Sequence, residues 1–192
     1  MSDFWLYLTF GFQHVLDVQA YDHVLFFIVL VASYQFSDWK RLITLVSVFT
    51  IGHTLSLLLA SYQVIQVSAK LVEFLIPITI LFTAIYNIIV ARKTRHSEKK
   101  FFMVLLTLFF GIIHGFGFAT YFGMIKDGDT LVPLLEFALG IEAAQIIVVF
   151  AVMILAFIFR SFLRFNQRDW VMVISAIVIG LIIPMLIENW AF

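Results

Sequence analysis

The chain has 192 residues, of which 63% are hydrophobic and 12% charged, and its formal net charge is zero. A soluble domain of this size needs far more polar surface, so the composition indicates an integral membrane protein. The sequence has no basic stripe or tail, which excludes nucleic acid as a partner. It also has no cysteine, which excludes disulfides, thiolate metal sites and cysteine nucleophiles.

The first element in chain order is an apolar segment from Phe4 to Val15. At about 12 residues it is shorter than the roughly 20 residues that a helix needs to cross a bilayer. We therefore expect a re-entrant or interfacial helix, or one arm of a bent first span. The stretch from Met1 to Phe12 lacks the basic start and small-residue cleavage site of a signal peptide, so we expect it to belong to the mature fold.

Six apolar runs follow, separated by charged turns, at residues 22–37, 42–62, 71–91, 101–125, 131–159 and 170–190. Their lengths predict about six membrane-spanning helices, of which the first is short. The fold class that we expect is therefore all-α, a polytopic transmembrane helix bundle with a short N-terminal re-entrant or interfacial helix. We expect residues 1–192 to form a single integral membrane domain.

The basic residues orient this predicted bundle. All of them except Lys70 and Lys126 fall in segments 38–41, 92–100 and 160–168, which share one side of the membrane by the predicted spans. Because cytoplasmic loops carry an excess of Lys and Arg, we expect these three segments to be cytoplasmic. The expected location is the inner membrane of a bacterium.

Several ionisable residues lie inside or against the apolar runs, where each costs several kcal/mol unless it is paired, hydrated or bound to an ion. They are His14, Asp22, His23, His53, His114 and Glu142. Counting along the spans places most of them in one layer between the outer surface and the midplane. Nitrogen and carboxylate ligands suit nickel, cobalt or zinc, so we predict that these six residues bind a divalent transition metal ion. We assign no catalytic residue.

Four further polar residues are expected to support the site or line the ion path: Asp17, Glu73, Asn87 and Gln145. Three of them have a structural alternative. Asp17 can be solvated, Glu73 can reach interfacial water, and Asn87 can form a polar contact between helices. The predicted ligands have structural alternatives too, since Asp22 can cap a helix and a histidine can hydrogen-bond between helices.

Five motifs occur in a fixed order over roughly residues 10–146. They are His14-x7-Asp22-His23-x2-Phe26, Phe49-Thr50-x2-His53-x3-Leu57, Val72-Glu73, Phe110-Gly111-x2-His114-Gly115-x-Gly117-Phe118-Ala119 and Gly140-Ile141-Glu142-x2-Gln145. This series resembles the HupE/UreJ family, with departures at Ala138 and Ala144, where the family often has Asn and Gly. The resemblance implies a small polytopic permease associated with nickel or cobalt uptake, often linked to hydrogenase or urease maturation.

Three functions remain open at this point. The leading hypothesis is a divalent-metal permease in the lipid bilayer, with the ion as its substrate; it is driven by a gradient or a partner subunit because the chain has no ATP-binding motif. The second is a membrane-embedded zinc-type hydrolase that uses Glu142 as general base. The third is a structural or sensory bundle in which the polar cluster only fixes helix register. Whether the chain forms a homo-oligomer is also open.

Overall fold

The fold is described from a computed structural model, in which residues 3–17, 21–91, 100–125, 130–162 and 164–190 are described. These residues form seven α-helices and one short 3-10 helix, Phe36–Asp38. The helices are α1 (Asp3–Val15), α2 (Asp22–Ala32), α3 (Trp39–Ser61), α4 (Ala69–Ala91), α5 (Lys100–Ile125), α6 (Leu131–Phe162) and α7 (Gln167–Glu188). The described part of the chain contains no strand.

Five helices are long and apolar enough to cross a membrane, namely α3 to α7. Helices are expected here because backbone N–H and C=O groups find no water in hydrocarbon and must bond within the segment. The prediction of an all-α membrane bundle is thus confirmed. The first predicted span, 22–37, is shorter than expected, because α2 ends at Ala32 and extended backbone at Gln35 starts the 3-10 turn that leads into α3.

Helices α1 and α2 lie one after the other along α5 and run in the opposite direction to it. Four contacts, in chain order, pair Tyr7 with Ile125, His14 with Phe118, His23 with His114 and Phe26 with Phe110. In these contacts the residue numbers of α1 and α2 rise while those of α5 fall, which shows that α1 and α2 are antiparallel to α5. The two helices have 13 and 11 residues, about 20 and 17 Å at 1.5 Å per residue. Placed in line, the two helices have the arrangement expected for the two arms of a bent segment.

The two ends of the bundle differ in chemistry. At one end Arg41 and Arg168 line a cavity of ≈ 550 Å³ together with Asp38 and Ala91, so that α3 and α7 begin where α4 ends. We call this the basic end. At the opposite end Phe74, near the start of α4, packs on Trp190, which follows α7, with ring centroids 5.6 Å apart. Of the predicted cytoplasmic segment 92–100, residues 92–99 lie outside the described residues.

Helix α2 lies at the centre of the bundle. It packs against α4, α6 and α7, and eight of its eleven residues are buried. Around it the helices associate in three extensive pairs, α3 with α5, α1 with α6 and α4 with α7. A short helix enclosed in this way meets protein on all sides, which explains why its sequence is apolar all round. Its first two residues, Asp22 and His23, therefore reach the interior of the bundle.

Candidate functional site

Four histidines from four helices converge at the point where α1 ends and α2 begins. His23 of α2 lies at the centre: its ring centroid is 4.7 Å from that of His14, 5.0 Å from that of His114 and 5.7 Å from that of His53. The rings of His14 and His53 are also 5.7 Å apart. The helices α1, α2, α3 and α5 each supply one ring. The structure thus brings together all four histidines that the sequence singles out as ligands.

The distances between these rings are those of histidines that share one metal ion, but the orientations of the rings are not. Two imidazoles bound to one ion through nitrogens at about 2.1 Å have ring centroids about 5 Å apart, close to the distances observed here. The rings meet edge to face or tilted, however. Among the described residues no group of three or more His, Asp or Glu side chains is arranged to hold a metal ion. Binding of an ion therefore requires the imidazoles to rotate.

Asp22 sets the orientation of His23. Its Oδ1 atom accepts hydrogen bonds from the backbone N–H of His23 at 2.7 Å and from Nδ1 of the same residue at 2.9 Å. Because Nδ1 donates to the carboxylate, the neutral ring presents a lone pair on Nε2. A carboxylate that fixes the tautomer of a histidine in this way is typical of the residues that surround a metal ligand. Asp22 also lines the cavity beside the cluster.

The tautomer of His114 is fixed as well, in this case by a backbone group of its own helix. Its Nδ1 lies 2.8 Å from the carbonyl oxygen of Phe110, one turn earlier in α5, and a carbonyl can only accept. The lone pair of the neutral ring is therefore on Nε2. His114 is 1% exposed and its Nε2 has no hydrogen-bond partner among the described residues.

The other rings also leave buried nitrogens unpaired. His53 is fully buried, and neither of its ring nitrogens has a partner in the described part of the chain. The Nε2 atoms of His14 and His23 are likewise buried and unpaired within these residues. Buried polar atoms nearly always have a hydrogen-bond partner, and those without one call for an explanation such as an ion or water. Five such nitrogens in one cluster point to a ligand.

A cavity of ≈ 770 Å³ leads to the cluster, between α1, α4 and α5. Its lining includes His14, His23 and His114 but not His53. Two of the predicted path residues, Asp17 and Glu73, also line this cavity, and both side chains are exposed. The cavity thus combines imidazole and carboxylate groups with apolar and aromatic walls.

Glu142 and Gln145 lie apart from this cavity. Glu142 is half-buried in a second cavity of ≈ 650 Å³ between α3 and α6, where it accepts a hydrogen bond from the Ser47 hydroxyl at 2.5 Å. The Thr50 hydroxyl, also in α3, donates to Oε1 of Gln145 in α6 at 3.0 Å. No contact between Glu142 and the four rings is seen in the described residues. The structure therefore separates Glu142, a predicted ligand, from the histidine cluster.

Asn87 forms a polar contact between α4 and α2, which is the structural alternative given for it above. Its Oδ1 accepts from the Ser33 hydroxyl at 2.9 Å, and its Nδ2 donates to the carbonyl oxygen of Val29 at 2.6 Å. These bonds hold the C-terminal end of α2, close to the cavity at the basic end that Ser33 lines.

Sequence reasoning assigned no role in the site to Phe118 or Ser47, although both shape it. Phe118 packs its ring on His14 with centroids 3.9 Å apart and stacks on Phe137 at 4.9 Å. Its position four residues after His114, on the same helix face, is a signal that could have identified it. Ser47, the partner of Glu142, carries no such signal, because the contact between α3 and α6 is a tertiary one.

Comparison with known proteins identifies a family. A family model described as HupE / UreJ protein matches residues 1–189 of the chain. No curated protein sequence and no solved structure matches significantly. The family is usually associated with nickel or cobalt transport, and the helical bundle described above is that of an integral membrane protein.

Proposed function

Since the chain belongs to the HupE/UreJ family, we propose that it is a permease for a divalent transition metal ion of the nickel or cobalt type. The observation that carries this proposal is the set of buried, unpaired imidazole nitrogens at the meeting point of α1, α2, α3 and α5. Neutral imidazole is a good ligand for such ions, and its burial at membrane depth is otherwise costly.

The ion enters from the end opposite the basic end, through the cavity that Asp17 and Glu73 line. These carboxylates attract a hydrated cation, and the ion then exchanges water for the Nε2 atoms of His14, His23 and His114. His53, which is fully buried and does not line the cavity, completes the set of rings that hold the ion.

The basic end faces the cytoplasm in this proposal, and the membrane is a bacterial inner membrane. The positive-inside rule supports this orientation, because Arg41, Arg160 and Arg168 lie at or near that end. Passage from the histidines toward the basic end requires α2 to move, since Phe26, Phe27 and Leu30 are buried between the two cavities. The bonds from Asn87 to Ser33 and Val29 hold α2 at the far end of this barrier.

The experiment that tests this function measures Ni²⁺, Co²⁺ and Zn²⁺ uptake into sealed proteoliposomes for the wild type, His53→Ala and the control His96→Ala. We expect saturable uptake in the wild type and in His96→Ala, and loss of uptake in His53→Ala. Metal binding without transport in the wild type would overturn the permease and favour a metalloenzyme that uses the same cluster. A wild-type protein that binds none of the three ions would overturn both functions.

A further inference from the structure

The helices α1 and α6 approach so closely that glycine is required on both. A Cβ atom on Gly11 of α1 would overlap the backbone carbonyl oxygen of Phe137 in α6. In the reverse direction, a Cβ atom on Gly140 of α6 would overlap the carbonyl oxygen of Leu8 in α1. In each helix the glycine lies three positions after the residue whose carbonyl oxygen contacts the glycine of the other helix. Small residues permit such close backbone contact between membrane helices.

The helices α5 and α3 repeat this contact residue for residue. A Cβ atom on Gly111 of α5 would overlap the carbonyl oxygen of Phe49 in α3, and one on Gly52 of α3 would overlap the carbonyl oxygen of Leu108 in α5. The glycine again follows the carbonyl residue by three positions in each helix. The contact between α1 and α6 therefore has the same register as the contact between α5 and α3.

The same register appears in the sequence once these helices are compared. Helix α1 carries Phe10-Gly11-x-x-His14 and α5 carries Phe110-Gly111-x-x-His114. Helix α3 carries Phe49-x-x-Gly52 and α6 carries Phe137-x-x-Gly140. The offsets are 110 − 10 = 100 for the first comparison and 137 − 49 = 88 for the second. They differ by 12, close to the 11 residues of α2, which stands between α1 and α3 as an insertion.

The matched helices run in opposite directions. Helix α1 is antiparallel to α5, as the contacts of Tyr7 and His14 with that helix establish. Helix α3 starts at the basic end, where Arg41 lies, whereas α6 ends there, where Arg160 bonds to Gln167. A rotation by half a turn about an axis in the membrane plane thus exchanges α1 with α5 and α3 with α6.

The cavity between α3 and α6 gives independent support for this axis. Four of the six residues of α3 that line it are matched, at the same offset of 88, by the four residues of α6 that line it. The pairs are Ser47 with Leu135, Thr50 with Ala138, Ile51 with Leu139 and Thr54 with Glu142. A cavity lined by equivalent positions from two antiparallel helices is what a two-fold axis through it produces.

We propose that α1 with α3 and α5 with α6 form an inverted repeat, and that exchange of their conformations opens the histidine cluster to the basic end along α5. Inverted repeats allow a transporter to expose one site to either side in turn. This inference rests on the proposed permease function. It assigns His14 and His114 equivalent roles on the two sides of the axis.

The proposed exchange of conformations identifies the residues that line the path to the basic end, which is closed in this structure. Phe12 and Gln13 of α1 line the open cavity, and their equivalents at the offset of 100 are Ile112 and Ile113 of α5. Ile113 is only 7% exposed and belongs to the hydrophobic core. In the alternative conformation Ile112 and Ile113 line a water-filled path from the basic end to the histidines.

The test uses the natural absence of cysteine, which makes single-cysteine variants clean reporters. Gln13→Cys, Ile113→Cys and the control Val178→Cys, 1% exposed in α7 outside both repeats, are labelled with a membrane-impermeant maleimide in intact cells and in inside-out vesicles. We expect Gln13→Cys to react in cells and Ile113→Cys to react in inside-out vesicles about tenfold faster than Val178→Cys, as a minor conformer permits.

The repeat is overturned if Ile113→Cys reacts no faster than Val178→Cys in inside-out vesicles, or if it reacts in cells as Gln13→Cys does. Ile112→Cys replaces it if Ile113→Cys does not fold. The labelling needs no metal, so its failure is distinct from a failure of the proposed function. The expected labelling, with no effect of Ni²⁺ on it and no Ni²⁺ uptake, would support the repeat and refute the metal permease.

Discussion

At the scale of single residues, His53 shows the conflict between stability and function most clearly. Its ring is completely buried, and neither nitrogen has a hydrogen-bond partner among the described residues. An unpaired polar group of this kind costs about 1–3 kcal/mol relative to a satisfied one. The protein therefore carries a penalty that the metal ion of the proposed permease would remove.

Replacing His53 with Leu should stabilise the metal-free protein. We expect the free energy of unfolding to rise by about 1 kcal/mol, because an apolar side chain of similar size removes the unpaired nitrogens. Thermal unfolding in detergent, with and without Ni²⁺, measures this and should show that the variant has lost stabilisation by the metal. His114→Leu is the matched control, with a smaller gain, since its Nδ1 already bonds to Phe110. A less stable His53→Leu protein would contradict the prediction.

Replacing Asp22 with Asn should weaken metal binding without abolishing it. The carboxylate holds Nδ1 of His23 at 2.9 Å, and loss of such an orienting group typically lowers metal affinity about 10- to 100-fold. Isothermal titration of Ni²⁺ into the purified protein measures the change. Asp169→Asn, at the exposed start of α7, should leave the affinity unchanged. Equal loss of affinity in both variants would exclude an orienting role for Asp22.

At the scale of helices, the contact between α1 and α6 positions His14. Gly11 and Gly140 let the two backbones touch, and His14 follows Gly11 by three residues on the same helix face. Without this contact the ring of His14 would not lie within 4.7 Å of the ring of His23. The glycines therefore serve the histidine cluster through the position of a helix.

Gly140→Ala and Gly180→Ala form a matched pair that tests this role. The first substitution forces α1 away from α6 and should lower the free energy of unfolding by about 1–3 kcal/mol. The second has no atoms within 4 Å of the added Cβ, and because alanine favours helix it should be neutral or raise stability by up to about 1 kcal/mol. Thermal unfolding and Ni²⁺ affinity are measured for both. Equal stability of the two variants would refute close packing at Gly140.

At the scale of the whole molecule, the histidine cluster lies between a cavity of ≈ 770 Å³ that reaches it and one of ≈ 550 Å³ at the basic end that does not. The buried helix α2 separates them. The direction of the proposed transport therefore depends on which end faces the cytoplasm, and the charges at the basic end predict that this end does.

Two conservative single-cysteine variants test the orientation. Ser37, before α3, is at the basic end, and Ser68, before α4, is at the opposite end; both are exposed. In intact cells an impermeant maleimide should label Ser68→Cys and spare Ser37→Cys until the membrane is permeabilised. The reverse pattern would invert the bundle and with it the proposed direction of entry.

Much of the fold follows from the sequence alone. Apolar length fixes which segments become α3 to α7, because lipid forces the backbone of each run to bond within itself. The cost of burying ionisable groups likewise pointed to His14, His23, His53 and His114 before any contact was known. Both arguments are local, since they depend on the composition of one segment and on the solvent that surrounds it.

Only the tertiary structure decided how these segments meet. It placed α1 and α2 in line along α5 and separated Glu142 from the histidines, pairing it with Ser47. Two runs that are equally apolar have the same affinity for lipid, so hydrophobicity cannot select the partner of a helix or the direction of a side chain. That selection comes from backbone shape at residues such as Gly11 and Gly140, whose effect depends on which helix lies opposite.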